Sequence, residues 1–128
     1  MNFRLLLLLV PLFFISCTAD ENSKEEDAVA LTNSYNEIVV LSQVNSTACT
    51  NAQEWDFTAI GSKACGGAAG YIAYSLKINV PEFLTKVDNY TKAQKAYNEK
   101  WNIISTCEVM MPPSRVDCVE GKTQLIYN

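Results

Sequence analysis

Apolar and polar residues alternate with two different periods along this chain, and each period predicts one kind of element. Residues 55–60 alternate around Trp55, Phe57 and Ala59, and residues 71–76 continue in an extended pattern, so both are predicted strands. Between residues 28 and 44 the apolar positions follow neither period over the whole span. Residues 37–44 are rich in β-branched side chains, and we predict a strand there, after a short helix.

The clearest helix is predicted over residues 81–101. Asn79 can cap its N-terminus, Pro81 lies in the first turn, and Glu82 follows Asn79 by three residues, as in a capping box. One face recurs at intervals of three and four residues, through Phe83, Val87, Tyr90, Gln94, Tyr97 and Trp101. The other face carries acid-first pairs four residues apart, Glu82 with Lys86 and Asp88 with Lys92. We expect an amphipathic helix that packs on a sheet.

Glycines mark two further features of the folded region. Gly61, Gly66, Gly67 and Gly70 cluster around Cys65, which predicts an irregular loop that needs positive φ or close approach of the backbone. Residues 115–119 and 123–127 alternate on either side of Glu120-Gly121-Lys122, which predicts a hairpin. The predicted fold class is α+β, with one amphipathic helix packed on a small antiparallel sheet that two disulfides brace.

The N-terminus has the pattern of a secretory signal peptide over residues 1–16. Arg4 is followed by an apolar run from residue 5 to residue 15, which is shorter than the roughly 20 residues that a membrane-spanning helix needs. Phe14-Ile15-Ser16-Cys17 resembles a bacterial lipobox, although Phe14 stands where leucine is usual. In a lipobox the peptidase cuts before the cysteine, whose thiol carries a diacylglycerol. The alternative is an ordinary signal peptide cut slightly later, with Cys17 discarded or unpaired.

Cleavage before Cys17 would leave an acidic tether over residues 17–27 and one domain over residues 28–128. The run from Asp20 to Asp27 has no aromatic residue, and we expect it to be a disordered, solvated spacer. An acidic stretch directly after the lipidated cysteine resembles the signal that exports Bacteroidetes lipoproteins to the cell surface. We expect a cell-envelope protein that is lipid-anchored to the outer membrane. Both locations, the cell surface and the periplasmic side of that membrane, stay open.

Without Cys17, four of the five cysteines remain in the domain: Cys49, Cys65, Cys107 and Cys118. An even set can be fully oxidised, and export places it in an oxidising compartment. Three pairings are open; proximity along the chain favours Cys49 with Cys65 and Cys107 with Cys118. Metal binding is the alternative, but the sequence has no CxxC pair and no histidine. We expect structural disulfides, no metal and no cofactor.

The composition excludes some chemistry. A chain without histidine cannot form Ser-His-Asp or Cys-His catalytic sites. Its basic residues are scattered among acids, so we expect no nucleic-acid partner. Glu54 and Asp56 lie two residues apart on a predicted strand and could act together as acid and base, or could simply be a solvated strand edge. We expect that the protein is not an enzyme.

Several short motifs resemble those of a family of small Bacteroidetes-type lipoproteins to which no activity is assigned. They are Ala48-Cys49, Gly61-Ser62-Lys63-Ala64-Cys65-Gly66-Gly67, Tyr71-Ile72-Ala73-Tyr74-Ser75, Cys107, and Cys118-Val119 followed by Gly121. Family members often have proline after Cys-Gly-Gly, where this chain has Ala68. The resemblance implies an envelope location and paired cysteines, and it implies no specific function.

Three hypotheses for function follow. The first is a non-catalytic envelope binding module, for example an inhibitor of a secreted hydrolase, that contacts an envelope or secreted protein through Gly66, Gly67, Tyr71 and Tyr74. Its alternative reading places both tyrosines in the core. The second is a hydrolase of glycan or peptide that uses carboxylates such as Glu54 and Asp56. The third is a structural surface lipoprotein without a discrete ligand.

Overall fold

The computed structural model describes residues 22–128, so the predicted signal peptide over residues 1–16, the lipidation site Cys17 and residues 18–21 lie outside the described part. The described chain forms helix α1 (Lys24–Ser42), a short 3-10 helix (Ala52–Glu54), strands β1 (Trp55–Ile60) and β2 (Gly70–Ser75), helix α2 (Val80–Lys100), and strands β3 (Arg115–Val119) and β4 (Lys122–Ile126). β1 pairs with β2 and β3 with β4, both antiparallel. The α+β class is confirmed, with two helices and two small sheets. None of the helices in residues 22–128 is long and apolar enough to cross a membrane.

Helix α1 begins at a capping box that the sequence analysis overlooked. The backbone N–H of Glu26 donates to Ser23 Oγ at 3.2 Å, and the backbone N–H of Ser23 donates to Glu26 Oε2 at 2.8 Å. Three acidic residues in the first turn, Glu25, Glu26 and Asp27, interact favourably with the positive end of the helix dipole. Residues 24–27 are therefore helical, and their assignment to a disordered spacer is wrong.

The predicted strand over residues 37–44 is also wrong, because residues 37–42 continue α1. Its β-branched residues lower helix propensity by only a few tenths of a kcal/mol each, roughly, which burial of one face outweighs. Ile38 and Ser42 point into the protein, while Val40 is 74% exposed on the opposite side. The inward stripe was hard to detect because a serine occupies one of its buried positions. The Ser42 hydroxyl is satisfied locally, since it donates to the Val39 carbonyl at 2.7 Å.

Helix α2 confirms the predicted amphipathic helix and its cap. Asn79 Oδ1 accepts from the backbone N–H of Glu82 at 3.3 Å, and Phe83 and Val87 are buried. Within α2, Asp88 and Lys92 form the expected ion pair at 2.6 Å. Lys86 binds Glu37 of α1, also at 2.6 Å, rather than Glu82.

The two helices run antiparallel. Asp27, in the first turn of α1, accepts hydrogen bonds from Lys100 Nζ at 2.8 Å and Trp101 Nε1 at 3.0 Å, at the end of α2. These two donors lower the pKa of the Asp27 carboxyl below its ordinary value, the lysine contributing most. The rings of Tyr35 and Tyr90 meet midway along the pair, with centroids 5.7 Å apart.

The sheet formed by β1 and β2 lies between the helices and the β3–β4 hairpin, and each of its faces contributes to a hydrophobic core. On the helix side, one hydrophobic core consists of Ile38, Ile60, Ile72, Tyr74, Phe83 and Val87. On the hairpin side, a second core consists of Cys49, Trp55, Ala73 and Val116. Successive residues of β2 alternate between the two cores, as the period of a strand requires. The hairpin itself confirms its prediction, with positive φ at both turn residues, Glu120 and Gly121.

The cysteines pair as Cys49 with Cys118 and Cys65 with Cys107, so the pairing favoured by proximity is wrong. The first bridge spans 69 residues and encloses the second, which spans 42. Proximity failed because the segment before β1 packs beside the C-terminal hairpin, where the backbone N–H of Cys49 donates to the Gly121 carbonyl at 2.9 Å. Both disulfides therefore join parts of the chain that are distant in sequence.

Candidate binding surface

Residues 61–69, here called the Gly loop, connect β1 to β2 in an irregular path. φ is positive at Gly61, Gly66 and Gly67, as expected, and not at Gly70. The loop folds back on itself, because the backbone N–H of Lys63 donates to the Gly67 carbonyl at 3.0 Å and that of Gly66 donates to the Lys63 carbonyl at 2.9 Å. Glycine permits this conformation because positive φ carries no Cβ penalty there.

Polar side chains of α2 hold the beginning of the Gly loop. Thr91 Oγ1 accepts from the backbone N–H of Gly61 at 3.0 Å, and Gln94 Oε1 accepts from that of Ser62 at 2.8 Å. One turn further on, Asn98 Nδ2 donates to the Ser62 carbonyl at 2.8 Å. Thr91 and Asn98 were not predicted as site residues, although their spacing of three and four from Gln94 places all three on one helix face.

Residues 103–113, here called the bridged segment, run from α2 to β3 without any helix, strand, turn or bend. The Cys65–Cys107 disulfide joins this segment to the Gly loop. Beside the disulfide, the backbone N–H of Cys65 donates to Ser105 Oγ at 3.3 Å, and Lys63 Nζ donates to the Glu108 carbonyl at 2.6 Å. The two segments therefore form one cross-linked surface.

The bridged segment exposes large apolar side chains. Ile104 is 94% exposed, Val109 84% and Met111 71%. Seven consecutive residues, 106–112, are exposed, and the segment is anchored again only at the buried Pro113. Scattered apolar residues on a surface are ordinary, but such a run on one segment is typical of an interaction site.

Of the four residues predicted to bind a partner, three lie on or next to this surface. Gly66 and Gly67 are exposed directly after Cys65. Tyr71 is half-buried, its ring lies against Phe57, and its hydroxyl donates to the Met110 carbonyl at 3.4 Å. Its side chain therefore helps to hold the bridged segment.

Tyr74 lies in the core, so the expectation that it is exposed is wrong and the alternative reading holds for it. Its side chain is 5% exposed, and its ring packs on Phe83 with centroids 4.8 Å apart. Burial raises the pKa of the Tyr74 hydroxyl, and the nearby Asp56 carboxylate raises it further. This ring cannot contact a partner in the folded protein.

Glu54 and Asp56 do not lie on one strand, because Glu54 ends the 3-10 helix and Asp56 lies in β1. Glu54 Oε2 forms an ion pair with Lys77 Nζ at 2.7 Å. Asp56 accepts from the backbone N–H of Phe57 at 2.8 Å and from the Tyr74 hydroxyl at 3.5 Å. Each carboxylate thus has its own structural partners.

An open pocket of about 230 Å³ lies between the Gly loop and the C-terminal part of α2. Its lining includes Lys63, Lys95, Asn98 and Glu99, so both charges are represented. Within residues 22–128, no group of acidic or cysteine side chains could hold a metal ion. The side chains around this pocket can form hydrogen bonds, ion pairs and apolar contacts with a bound molecule.

No family model, curated protein or solved structure matches the chain. The resemblance to Bacteroidetes-type lipoproteins therefore stays a prediction. Its two longest motifs lie together in the fold, since residues 61–67 belong to the Gly loop and residues 71–75 to β2.

Proposed function

We propose that this protein is a lipid-anchored lipoprotein of the cell envelope and that its domain is a non-catalytic binding module. Its recognition surface consists of the Gly loop and the bridged segment. The observation that carries the proposal is the exposure of Ile104, Val109 and Met111 on a segment that a disulfide fixes in place. A partner protein of the envelope, or one secreted near it, would cover these side chains.

Energetics support this assignment of the surface. Leaving a large aliphatic side chain in water instead of burying it forgoes roughly 1.5–3 kcal/mol. Three such side chains of one segment, those of Ile104, Val109 and Met111, stay in water. The same segment is nevertheless constrained through Cys107 and through the carbonyl of Glu108. A constrained segment loses less conformational entropy on binding, so the cross-link favours affinity.

The position of α1 supports anchoring close to the membrane. The helix begins at Lys24, seven residues after Cys17, so a fully extended connection between them reaches no further than about 25 Å. A diacylated cysteine attaches stably, because each buried methylene contributes about 0.8 kcal/mol. The domain would thus meet partners at the membrane surface rather than at a distance from it.

The anchor is tested by expressing the full chain and its Cys17→Ser variant in a bacterial host. We expect the native protein to fractionate with membranes and to carry an acyl mass on an N-terminal Cys17. The variant should be released in soluble form. An N-terminus downstream of Cys17, or an unmodified thiol there, would refute lipid anchoring.

The binding surface is tested by photo-crosslinking in intact cells. A photoreactive amino acid at position 109 should form one discrete protein adduct, whereas the same group at position 40 should not. Val40 is a matched control because it is 74% exposed, lies on α1 and is also a valine. Equal adduct patterns at both positions, or none at either, would count against a binding module with this surface.

A further inference from the structure

The backbone of the bridged segment is held along one side. The Glu108 carbonyl accepts from Lys63 Nζ at 2.6 Å and the Met110 carbonyl accepts from the Tyr71 hydroxyl at 3.4 Å. In an extended chain the N–H and C=O groups of residues two apart point the same way, and those of the residue between them point the opposite way. The carbonyls of Val109 and Met111, which alternate with these two along the segment, accept no such bond from the described residues.

The backbone groups of Val109 and Met111 are free to pair with another polypeptide. None of the backbone N–H groups of residues 104–111 donates to an acceptor within residues 22–128, and in the same range no donor reaches the carbonyls of Val109 and Met111. Residues 109 and 111 thus offer the alternating donors and acceptors to which an added strand binds.

The exposure pattern indicates that the partner encloses the segment. A strand at the edge of a sheet keeps one face on its own core, as β4 does, where exposed and half-buried residues alternate. Residues 106–112 are exposed without interruption, so neither face is covered. A partner that covers both faces while pairing with the backbone is a cleft that binds extended polypeptide.

We infer that the bridged segment occupies the substrate cleft of an endopeptidase, with the backbone of Val109 and Met111 paired to the enzyme and their side chains in its apolar subsites. This inference rests on the proposed function and names its partner class. Endopeptidases bind substrates as extended chains, by backbone pairing combined with side-chain pockets. Met111 supplies a long, unbranched side chain that adapts to such a pocket.

The fold makes the segment an inhibitor rather than a substrate. Cys107 is bonded to the Gly loop, and on the other side Pro113 is buried and leads into β3. If a bond between them were cut, both new ends would remain attached to the same domain and would stay in the cleft. A segment that is already constrained also pays a smaller entropic cost for occupying the cleft.

The test uses the purified full-length protein with four endopeptidases that cleave at apolar residues, one each of the chymotrypsin, subtilisin, papain and thermolysin types. We expect competitive inhibition of at least one enzyme, measured with a fluorogenic peptide, while mass spectrometry shows the inhibitor still intact. Val109→Asp and Met111→Asp should each raise the inhibition constant at least about tenfold, and Val40→Asp should change it by less than about twofold.

A second pair of variants tests the backbone contacts separately from apolar contact. Val109→Pro removes the unpaired backbone N–H of residue 109, whereas Val109→Thr keeps it with a side chain of similar shape. Only the proline variant should lose inhibition by about tenfold or more. Urea unfolding of every variant confirms that the domain is folded before its inhibition is compared.

The inference is overturned if the folded protein inhibits none of the four enzymes at about 100 µM, well above the affinity of a specific complex. Unchanged inhibition by both aspartate variants would overturn it as well. A discrete adduct at position 109 with a partner that is not a peptidase, together with no inhibition, would reject the inference and keep the proposed function. Failure of both experiments would reject both.

Discussion

The Cys49–Cys118 bridge, in which Cys49 is buried and Cys118 half-buried, should contribute more to stability than the exposed Cys65–Cys107 bridge. The nesting of the two loops sets the magnitude. The outer bridge spans 69 residues and the inner one 42. With the inner bridge formed, the outer one closes only the chain that remains, about 27 residues, for which the chain-entropy model gives about 3.6 kcal/mol.

The inner bridge contributes less by the same reasoning. With the outer bridge formed, the inner bridge divides a closed ring of 69 residues into two paths of 42 and about 27 residues. Two such paths in parallel restrict the unfolded chain as one loop of about 16 residues does, for which the chain-entropy model gives a stabilisation of about 3.1 kcal/mol. Packing widens the difference, because Cys49 is 2% exposed in the core with Trp55, whereas Cys65 and Cys107 are exposed. Removing the outer sulfurs should cost about 1–2 kcal/mol more through the cavity they leave.

We therefore expect the double variant Cys49→Ala, Cys118→Ala to lose about 5 kcal/mol of unfolding free energy, and Cys65→Ala, Cys107→Ala to lose about 3 kcal/mol. Urea unfolding at pH 7, followed by tryptophan fluorescence, measures both losses, and peptide mapping without reduction verifies the bridges. Equal losses for the two variants, or a Cys49–Cys65 peptide from the native protein, would refute the reasoning.

Three further predictions concern the cores, the helix pair and the Gly loop. Phe83→Ala should lower the unfolding free energy by about 3–5 kcal/mol in urea titrations, because this ring is 2% exposed; a loss under about 1 kcal/mol would contradict the assigned core. Since donors on α2 lower the pKa of Asp27, its stabilising effect is complete above the ordinary pKa of 3.8 and is lost as the pH falls through the lower folded value. The melting temperature of Asp27→Asn should thus lie below that of the native protein at pH 7 and converge with it on acidification below 3.8, whereas a gap that persists at low pH would argue against the ion pair. In the same titrations, Gly61→Ala should lower the unfolding free energy by about 2 kcal/mol or more, and Gly67→Ala by about 1 kcal/mol. Both glycines have positive φ, but only at Gly61 would a Cβ collide with Gln94, so equal losses would disprove that contact.

Most elements whose signals are local were predictable from the sequence, the exception being the Ser23–Glu26 capping box that begins α1. Strand β1 follows from the alternation around Trp55, α2 from its Asn79 cap and its stripe through Phe83, and the hairpin from the turn at Gly121. In each case the residues that decide the conformation lie within a few positions of one another. The Gly loop is a local prediction of the same kind, because positive φ selects glycine at each position independently.

The candidate site was only partly predictable. Clustered glycines pointed to the Gly loop, but nothing local distinguishes the half-buried Tyr71 ring from the buried Tyr74 ring, which belong to the same strand. For residues 103–113, the sequence alone indicates only that a helix cannot continue through Pro112. That they lie beside the Gly loop depends on the Cys65–Cys107 disulfide, which joins two parts of the chain that are distant in sequence.

The sequence by itself therefore determined the α+β class, the local elements and the presence of four cysteines available for cross-links. Tertiary structure alone decided which cysteines pair, that residues 37–42 form a helix, and which apolar side chains stay in water. The physical reason is the sequence distance over which each interaction acts. Caps, turns and strand periods act between residues that are close in sequence, whereas the burial of Ile38 and the pairing of Cys49 with Cys118 depend on packing between distant segments.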